Sequence, residues 1–100
     1  MTATKHDTGK RDWSILPWGQ AEQIVKVLEL GAQKYGRFNW QRPGNGFRLR
    51  VQNALLRHVI AYANGERKDE ESGLHPLAHA ACNCLFLMYY DGAGRRSDET

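Results

Sequence analysis

The sequence lacks the features that mark several large classes of protein. It has only two cysteines among its 100 residues, and Cys82 and Cys84 lie two positions apart, a spacing that suits neither a disulfide nor a metal knuckle. We therefore expect both to be small core residues in a reducing compartment. No segment has the roughly 18 consecutive apolar residues of a membrane span, and residues 1–13 contain no apolar stretch of the signal-peptide kind. These absences predict a cytoplasmic protein with no membrane partner.

Several catalytic motifs are also missing. The sequence contains no Walker loop, no GxSxG and no HExxH, so several phosphohydrolase classes are excluded. It shows no internal repeat and no alternation of apolar and polar residues of the kind that predicts a β-strand. An all-α protein is therefore expected.

Length and charge limit the possibilities further. A chain of 100 residues forms one compact domain that buries only about two-thirds of its unfolded surface, so self-association is a reasonable expectation. The net charge is +3, but Lys and Arg are spread along the chain without a long run. This pattern is compatible with nucleic acid as a partner, and equally with the phosphates of a small molecule.

Helical periodicity predicts three main helices. The first should run from Trp18 to about Tyr35 and the second from about Phe47 to Asn64, where Gly65 is a natural stop. The third should begin near His75, with a proline in its first turn, and end near Tyr90 at the DGAG sequence. These helices account for most of the chain.

The third helix is apolar on nearly all sides, which indicates burial. A single chain of this length offers little else to cover it, so we expect a homo-oligomer, a dimer or a tetramer, with this helix near the interface. The predicted fold is a helical bundle completed by oligomerisation, in a single domain 1–100 with polar tails at residues 1–12 and 92–100.

An acidic turn precedes the third helix. Four of the 11 acidic residues lie in it: Glu66, Asp69, Glu70 and Glu71. If the second helix continues past Gly65, one stripe directs two carboxylates and an imidazole at the third helix. Its members are His58, Tyr62, Glu66 and Asp69. Mg²⁺ prefers oxygen ligands, and two or three carboxylates are the usual protein share when a substrate supplies phosphate oxygens. The alternative is a solvated charged turn.

Two polar residues interrupt the apolar third helix one turn apart, His79 and Asn83. Because an unpaired buried polar group is unfavourable by about 1–3 kcal/mol, each needs a partner. Either they hydrogen-bond within the core, to each other or to nearby backbone groups, or they line a polar cavity. A zinc site on His75, His79 and Cys82 has helix-compatible spacing but lacks a fourth ligand.

The loop GRFNWQRPGNG between the first two helices contains aromatic residues that a solvated connector does not favour. Trp40 could belong to the core, or it could stack on a nucleobase while Asn39 hydrogen-bonds to the edge of the base. Lys10 and Lys34 are candidate phosphate contacts, although any exposed lysine gives the same sequence signal.

The blocks KHDTGKRDWSILPW, LELGAQKYGRFNW, LLRHVIAYANGERKDEESGL and LAHAACNCLFL, taken together, resemble the phage dATP/dGTP diphosphohydrolases. This family is a branch of the all-α NTP pyrophosphatases that include the MazG-like enzymes. The resemblance extends over most of the chain, and KYGRFNW and GERKDEESG are specific in combination.

The resemblance implies a helical-bundle oligomer that cleaves a purine deoxynucleoside triphosphate between the α- and β-phosphates. The products would be the monophosphate and pyrophosphate, and Mg²⁺ or Mn²⁺ would be the cofactor. It also implies a possible role in phages that replace adenine by 2-aminoadenine, through supply of dGMP and removal of dATP.

The resulting site prediction combines the residue patterns with the resemblance. The expected metal ligands are Glu66, Asp69 and Glu70. The expected catalytic residues are Glu66, Asp69 and His79. The expected substrate contacts are Lys10, Lys34, Asn39, Trp40, His58 and Asn83.

The wider superfamily has ExxE followed by ExxD on the next helix, whereas this chain has His79 and Asn83 where carboxylates are expected, so the four-acid site does not transfer. The rival hypothesis is a non-catalytic, basic phage protein that binds nucleic acid. We do not expect nucleic acid to be a partner of this chain.

Overall fold

The computed structural model describes residues 8–41 and 46–99. This part of the chain contains three α-helices, α1 (Trp18–Tyr35), α2 (Phe47–Ala63) and α3 (Pro76–Glu99), and two short 3-10 helices, Trp13–Ile15 and Asn39–Gln41. No strand occurs in the described residues, so the predicted all-α class is confirmed. None of the helices described is long and apolar enough to cross a membrane.

The end of α2 follows directly from the sequence. The backbone N–H of Gly65 donates to the carbonyl of Tyr62, and that of Glu66 donates to the carbonyl of Ala61. Gly65 has a φ of 100°, which an L-residue with a side chain rarely adopts. This is the hydrogen-bond pattern of a Schellman motif, and it reverses the chain. The hypothesis that α2 continues past Gly65 is therefore wrong, and Glu66 and Asp69 lie outside the helix.

Helix α3 begins where the sequence predicts and extends further than expected. Pro76 is its first residue, and the ring atom Nδ1 of His75 accepts a hydrogen bond from the backbone N–H of Leu77. The expected end near Tyr90 is wrong, because the helix continues to Glu99. Glycine within a helix is unfavourable by only about 1 kcal/mol relative to alanine, and the segment after Tyr90 contains no proline, so the glycines of DGAG do not end it.

Helix α3 is the centre of the fold. Both α1 and α2 pack on α3, and within the described residues they form no helix pair with each other. The buried hydrophobic core is correspondingly small and comes mainly from α3: Val51, Ala78, Ala80, Cys82 and Tyr90. Within one chain α3 is not covered on all sides, because Leu85 and Met88 are 47% and 68% exposed.

Candidate functional site

A groove lies over α3, in the space that α1 and α2 leave between them. Its outer part has a volume of about 470 Å³, and its inner part has about 200 Å³. The residues that line both parts are Tyr35, Asn39, Trp40, Asn83 and Phe86. Helix α2 adds Phe47, Arg50, Val51, Asn53, Ala54 and Arg57 to the outer part. Helices α1 and α3 add Val27, Leu28, Gly31, His79 and Cys82 to the inner part. Because the two parts share these lining residues they are adjacent, and all three helices contribute to their walls.

Trp40 forms an aromatic wall of this groove. Its ring stacks on Phe86 with centroids 5.4 Å apart and planes at 18°, and it meets Tyr89 edge to face at 5.0 Å. Trp40 thus packs on α3. These contacts fix the indole ring at the groove, so any ligand there meets a preformed aromatic surface.

Asn83 carries an unsatisfied polar atom in the same place. Its Oδ1 atom is buried and has no hydrogen-bond partner in the described part of the protein. Asn83 therefore does not form a satisfied core pair with His79, one of the two arrangements that the sequence left open. Because a buried acceptor without a donor is unfavourable by about 1–3 kcal/mol, a bound molecule with an N–H group would be stabilised here.

His79 lies at the centre of a small polar cluster beside the groove. Its ring stacks on that of His58 with centroids 4.7 Å apart and planes at 19°. A hydrogen bond of 2.7 Å joins His79 Nε2 to Ser72 Oγ, and Asp69 Oδ2 lies 3.9 Å from the same nitrogen. The sequence predicted that two carboxylates and His58 face the third helix from a continued α2, whereas in the structure a turn brings Asp69, and not Glu66, to His79.

Asp69 has a structural role in the acidic turn as well. Its Oδ2 atom accepts hydrogen bonds from the backbone N–H groups of Glu71 and Ser72, at 3.1 and 3.0 Å. Burial raises the pKa of Asp69, but the hydrogen bond from Ser72, the neighbouring His79 and the hydrogen bond from Glu71 together outweigh it, and the pKa falls below its ordinary value. Asp69 is thus a carboxylate held ionised against α3.

The pKa of His58 is also below its ordinary value. Burial is the main cause, and the nearby His79 and Arg57 lower the pKa further, against the opposing effect of Asp69. His58 is therefore a neutral imidazole at pH 7 that packs behind His79. It does not line the groove itself.

The three expected metal ligands are not brought together. Asp69 faces α3, whereas Glu66 and Glu70 are exposed on the turn. In residues 8–41 and 46–99, no group of three or more His, Cys, Asp or Glu side chains could hold a metal ion. The zinc alternative is not formed either: Cys82 Sγ donates to the carbonyl of Ile24 at 3.4 Å, and burial raises the pKa of its thiol to about 11.

The two lysines lie away from the groove. Lys34 pairs at 3.8 Å with Glu71, whose side chain is 83% exposed, so this contact ties α1 loosely to the acidic turn. Lys10 lines a separate hollow with Trp13, Ile15 and Leu16. Of the six expected substrate contacts, Asn39, Trp40 and Asn83 line the groove.

Sequence reasoning missed several residues that the structure places in the groove or beside it. They are Tyr35, Arg50, Asn53, Arg57, Ser72 and Phe86. One available signal was the position of Arg50 and Arg57 two helical turns apart, which places them on one side of α2. Ser72 gave no comparable signal, because its partner His79 belongs to another element.

Residues 1–100 match the family model described as dATP/dGTP diphosphohydrolase, N-terminal. A curated relative from Salmonella phage PMBT28, named dATP/dGTP diphosphohydrolase, is 39% identical over 90 residues, which is 89% of this chain and 30% of the relative. The chain therefore spans about a third of the length of this relative. No solved structure gives a significant match.

Proposed function

The chain belongs to the dATP/dGTP diphosphohydrolase family, whose N-terminal domain it matches over residues 1–100, and from this premise we propose that it acts on purine deoxynucleoside triphosphates. The reaction is hydrolysis of dGTP and dATP between the α- and β-phosphates. Its products are the monophosphate and pyrophosphate. The family membership does not favour the rival hypothesis of a non-catalytic nucleic-acid-binding protein.

The observation that carries this proposal is the buried Oδ1 of Asn83 in a groove with an aromatic wall. A side-chain amide offers both an acceptor and a donor. Its Oδ1 atom can accept from the exocyclic amine of adenine or from the exocyclic amine of guanine. Trp40 and Phe86 supply an apolar surface for the planar base. A purine of either type therefore satisfies the unpaired group.

The polar cluster supports a hydrolytic role. Hydrolysis at the α-phosphorus requires a water molecule held in line with the leaving pyrophosphate. His79 lines the inner groove, and its ring is fixed by Ser72 and by stacking on His58. We assign His79 the orientation of this water or of the phosphate that it attacks. Asp69 Oδ2 lies 3.9 Å from the same ring nitrogen and places a negative charge beside it.

A requirement for Mg²⁺ or Mn²⁺ is part of the proposal, on general grounds. The triphosphate supplies oxygen ligands of its own, and Mg²⁺ keeps several waters, so a full protein cage is not needed. The described carboxylates do not fit a complete ligand set, because Glu66 and Glu70 are exposed and only Asp69 faces α3. No step of the reaction is therefore assigned to a metal ion.

The biological setting that we propose follows from these products. Removal of dATP together with supply of dGMP would serve a phage that replaces adenine by 2-aminoadenine in its DNA. The reaction would then take place in the host cytoplasm, where deoxynucleotides are made.

The direct test is product analysis. The purified protein is incubated with each of the four deoxynucleoside triphosphates, with Mg²⁺, with Mn²⁺ and with a chelator, and the products are separated by anion-exchange chromatography. We expect monophosphate and pyrophosphate from dGTP and dATP only when a metal ion is present. Tight, salt-sensitive DNA binding with no pyrophosphate from any nucleotide would support the rival hypothesis instead.

A further inference from the structure

Helix α2 presents two arginines to the groove, and the reaction proposed above assigns them no role. Arg50 and Arg57 both line its outer part and both are exposed. Within the described residues, neither takes part in an ion pair. The third arginine of α2, Arg48, is also exposed. It lies outside the groove lining and forms an ion pair with Asp91. The α2 wall is therefore cationic, with its positive charge available to a ligand.

The opposite wall has different chemistry. Tyr35, Trp40 and Phe86 make it aromatic, and Asn83 adds an unpaired acceptor. A ligand that fills this groove must combine a flat, partly polar ring system with negative charge. A nucleotide has both parts, and the volume of about 470 Å³ is in the range of small-ligand sites, roughly 300–1,000 Å³.

The spacing of the two arginines indicates how much negative charge they can contact. Residues two turns apart on an α-helix are separated by about 10 Å along its axis. Two long, flexible side chains at this separation can both reach a chain of three phosphates, whereas a single phosphate group can be held well by only one of them. Guanidinium groups bind phosphate oxygens with paired, charge-assisted hydrogen bonds.

We propose that Arg50 and Arg57 bind the triphosphate of the substrate together, and that this two-point contact makes the groove select triphosphates over the monophosphate product. The inference rests on the proposed function for the identity of the ligand. Phosphate binding of this kind does not require a continuous run of basic residues, because two separated arginines on one face of α2 are enough.

Binding measurements test this proposal without turnover. The probes are α,β-methylene-dGTP, which cannot be cleaved between the α- and β-phosphates, together with dGMP and deoxyguanosine. Each is titrated calorimetrically into the wild type and into Arg50→Gln, Arg57→Gln and the matched control Arg48→Gln. We expect the first two variants to bind the triphosphate analogue about 10-fold more weakly or worse. Their affinity for deoxyguanosine should equal that of the wild type, and Arg48→Gln should resemble the wild type with all three probes.

Two results would overturn the inference. The first is wild-type affinity of Arg50→Gln and Arg57→Gln for the analogue. The second is an equal loss for deoxyguanosine, which would indicate damage to the groove and no phosphate contact. Arg57→Lys keeps the positive charge but loses the paired hydrogen bonds of a guanidinium group, so it should bind the analogue with intermediate affinity. This variant provides the test if a Gln variant fails to fold.

The outcomes also separate this inference from the proposed function. A wild type that binds the analogue but releases no pyrophosphate from any nucleotide contradicts the function alone. A wild type that hydrolyses dGTP while the arginine variants bind the analogue normally contradicts this inference alone. A single-stranded oligonucleotide is the last probe: if the variants lose affinity for it more than for the analogue, the arginines serve nucleic acid and the inference is wrong.

Discussion

The imidazole rings of His58 and His79 stack face to face, with centroids 4.7 Å apart and planes at 19°. Burial disfavours a charge on His58, and the neighbouring His79 disfavours it further. The lowered pKa of His58 is the consequence. This stack therefore links the stability of the fold to pH in the range where histidine titrates.

The first prediction concerns this linkage. Because the pKa of His58 is lower in the folded than in the unfolded protein, the unfolded chain takes up a proton first as the pH falls. The stability from the neutral ring is fully present above the unfolded pKa of about 6.5 and declines below it. Urea unfolding at pH 7.5 and 5.5 should show a loss of unfolding free energy in the wild type and a smaller loss in His58→Gln. An identical loss in both proteins would contradict the assignment.

The second prediction concerns the carboxylates of the acidic turn. Asp69→Asn removes the charge beside His79 at nearly constant volume, so we expect turnover to fall about tenfold or more while the melting temperature stays near that of the wild type. Glu66→Gln changes an exposed side chain of the turn and should leave turnover near that of the wild type. Asn at position 69 can still accept the two backbone hydrogen bonds of the turn, whereas Asp69→Ala cannot and should also lower stability by about 1 kcal/mol. Wild-type turnover in Asp69→Asn would contradict a role for this charge at His79, and loss of turnover in Glu66→Gln would contradict the placement of Glu66 outside the site.

The third prediction concerns His79. If it orients the water or the phosphate, His79→Ala should reduce turnover at least about tenfold with a modest change in melting temperature, since lost partners of this kind typically reduce activity 10- to 100-fold. A core residue would behave differently. Unchanged turnover per folded molecule, together with a clear loss of stability, would make His79 purely structural.

The fourth prediction concerns Asn83. Leu has a similar size, and Asn83→Leu removes a buried acceptor that has no donor among the residues that the structure describes. We therefore expect the free protein to keep or gain stability and to lose affinity for α,β-methylene-dGTP by about 10-fold or more. Thermal melting with and without the analogue measures both effects. A destabilised free protein would mean that the amide already has a partner.

The fifth prediction concerns assembly. Large apolar side chains remain exposed on α2 and α3, among them Leu49, Leu56, Ile60, Leu85 and Met88. Patches of this kind mark interfaces, so light scattering should report a dimer or a tetramer, and Met88→Lys should shift it toward the monomer. A wild type that is monomeric at micromolar concentration would refute this prediction.

The sequence by itself determined the local structure. Apolar periodicity located α1 and α2, Gly65 marked the end of α2, and Pro76 marked the start of α3, because these signals depend on backbone geometry within a few residues. The end of α3 was missed, because glycine weakens a helix without forbidding it. The sequence also singled out His79 and Asn83, since polar residues stand out in an apolar helix.

Only the tertiary structure decided which side chains meet. After Gly65 the chain reverses, and of the acidic residues in the turn only Asp69 is placed against His79. The same packing brings Trp40 onto Phe86 and aims Arg50 and Arg57 into the space that α1 and α2 leave open. Helical periodicity is local and fixes only the face of each helix on which a residue lies. Contacts between elements depend on how the chain turns and how the helices pack on α3.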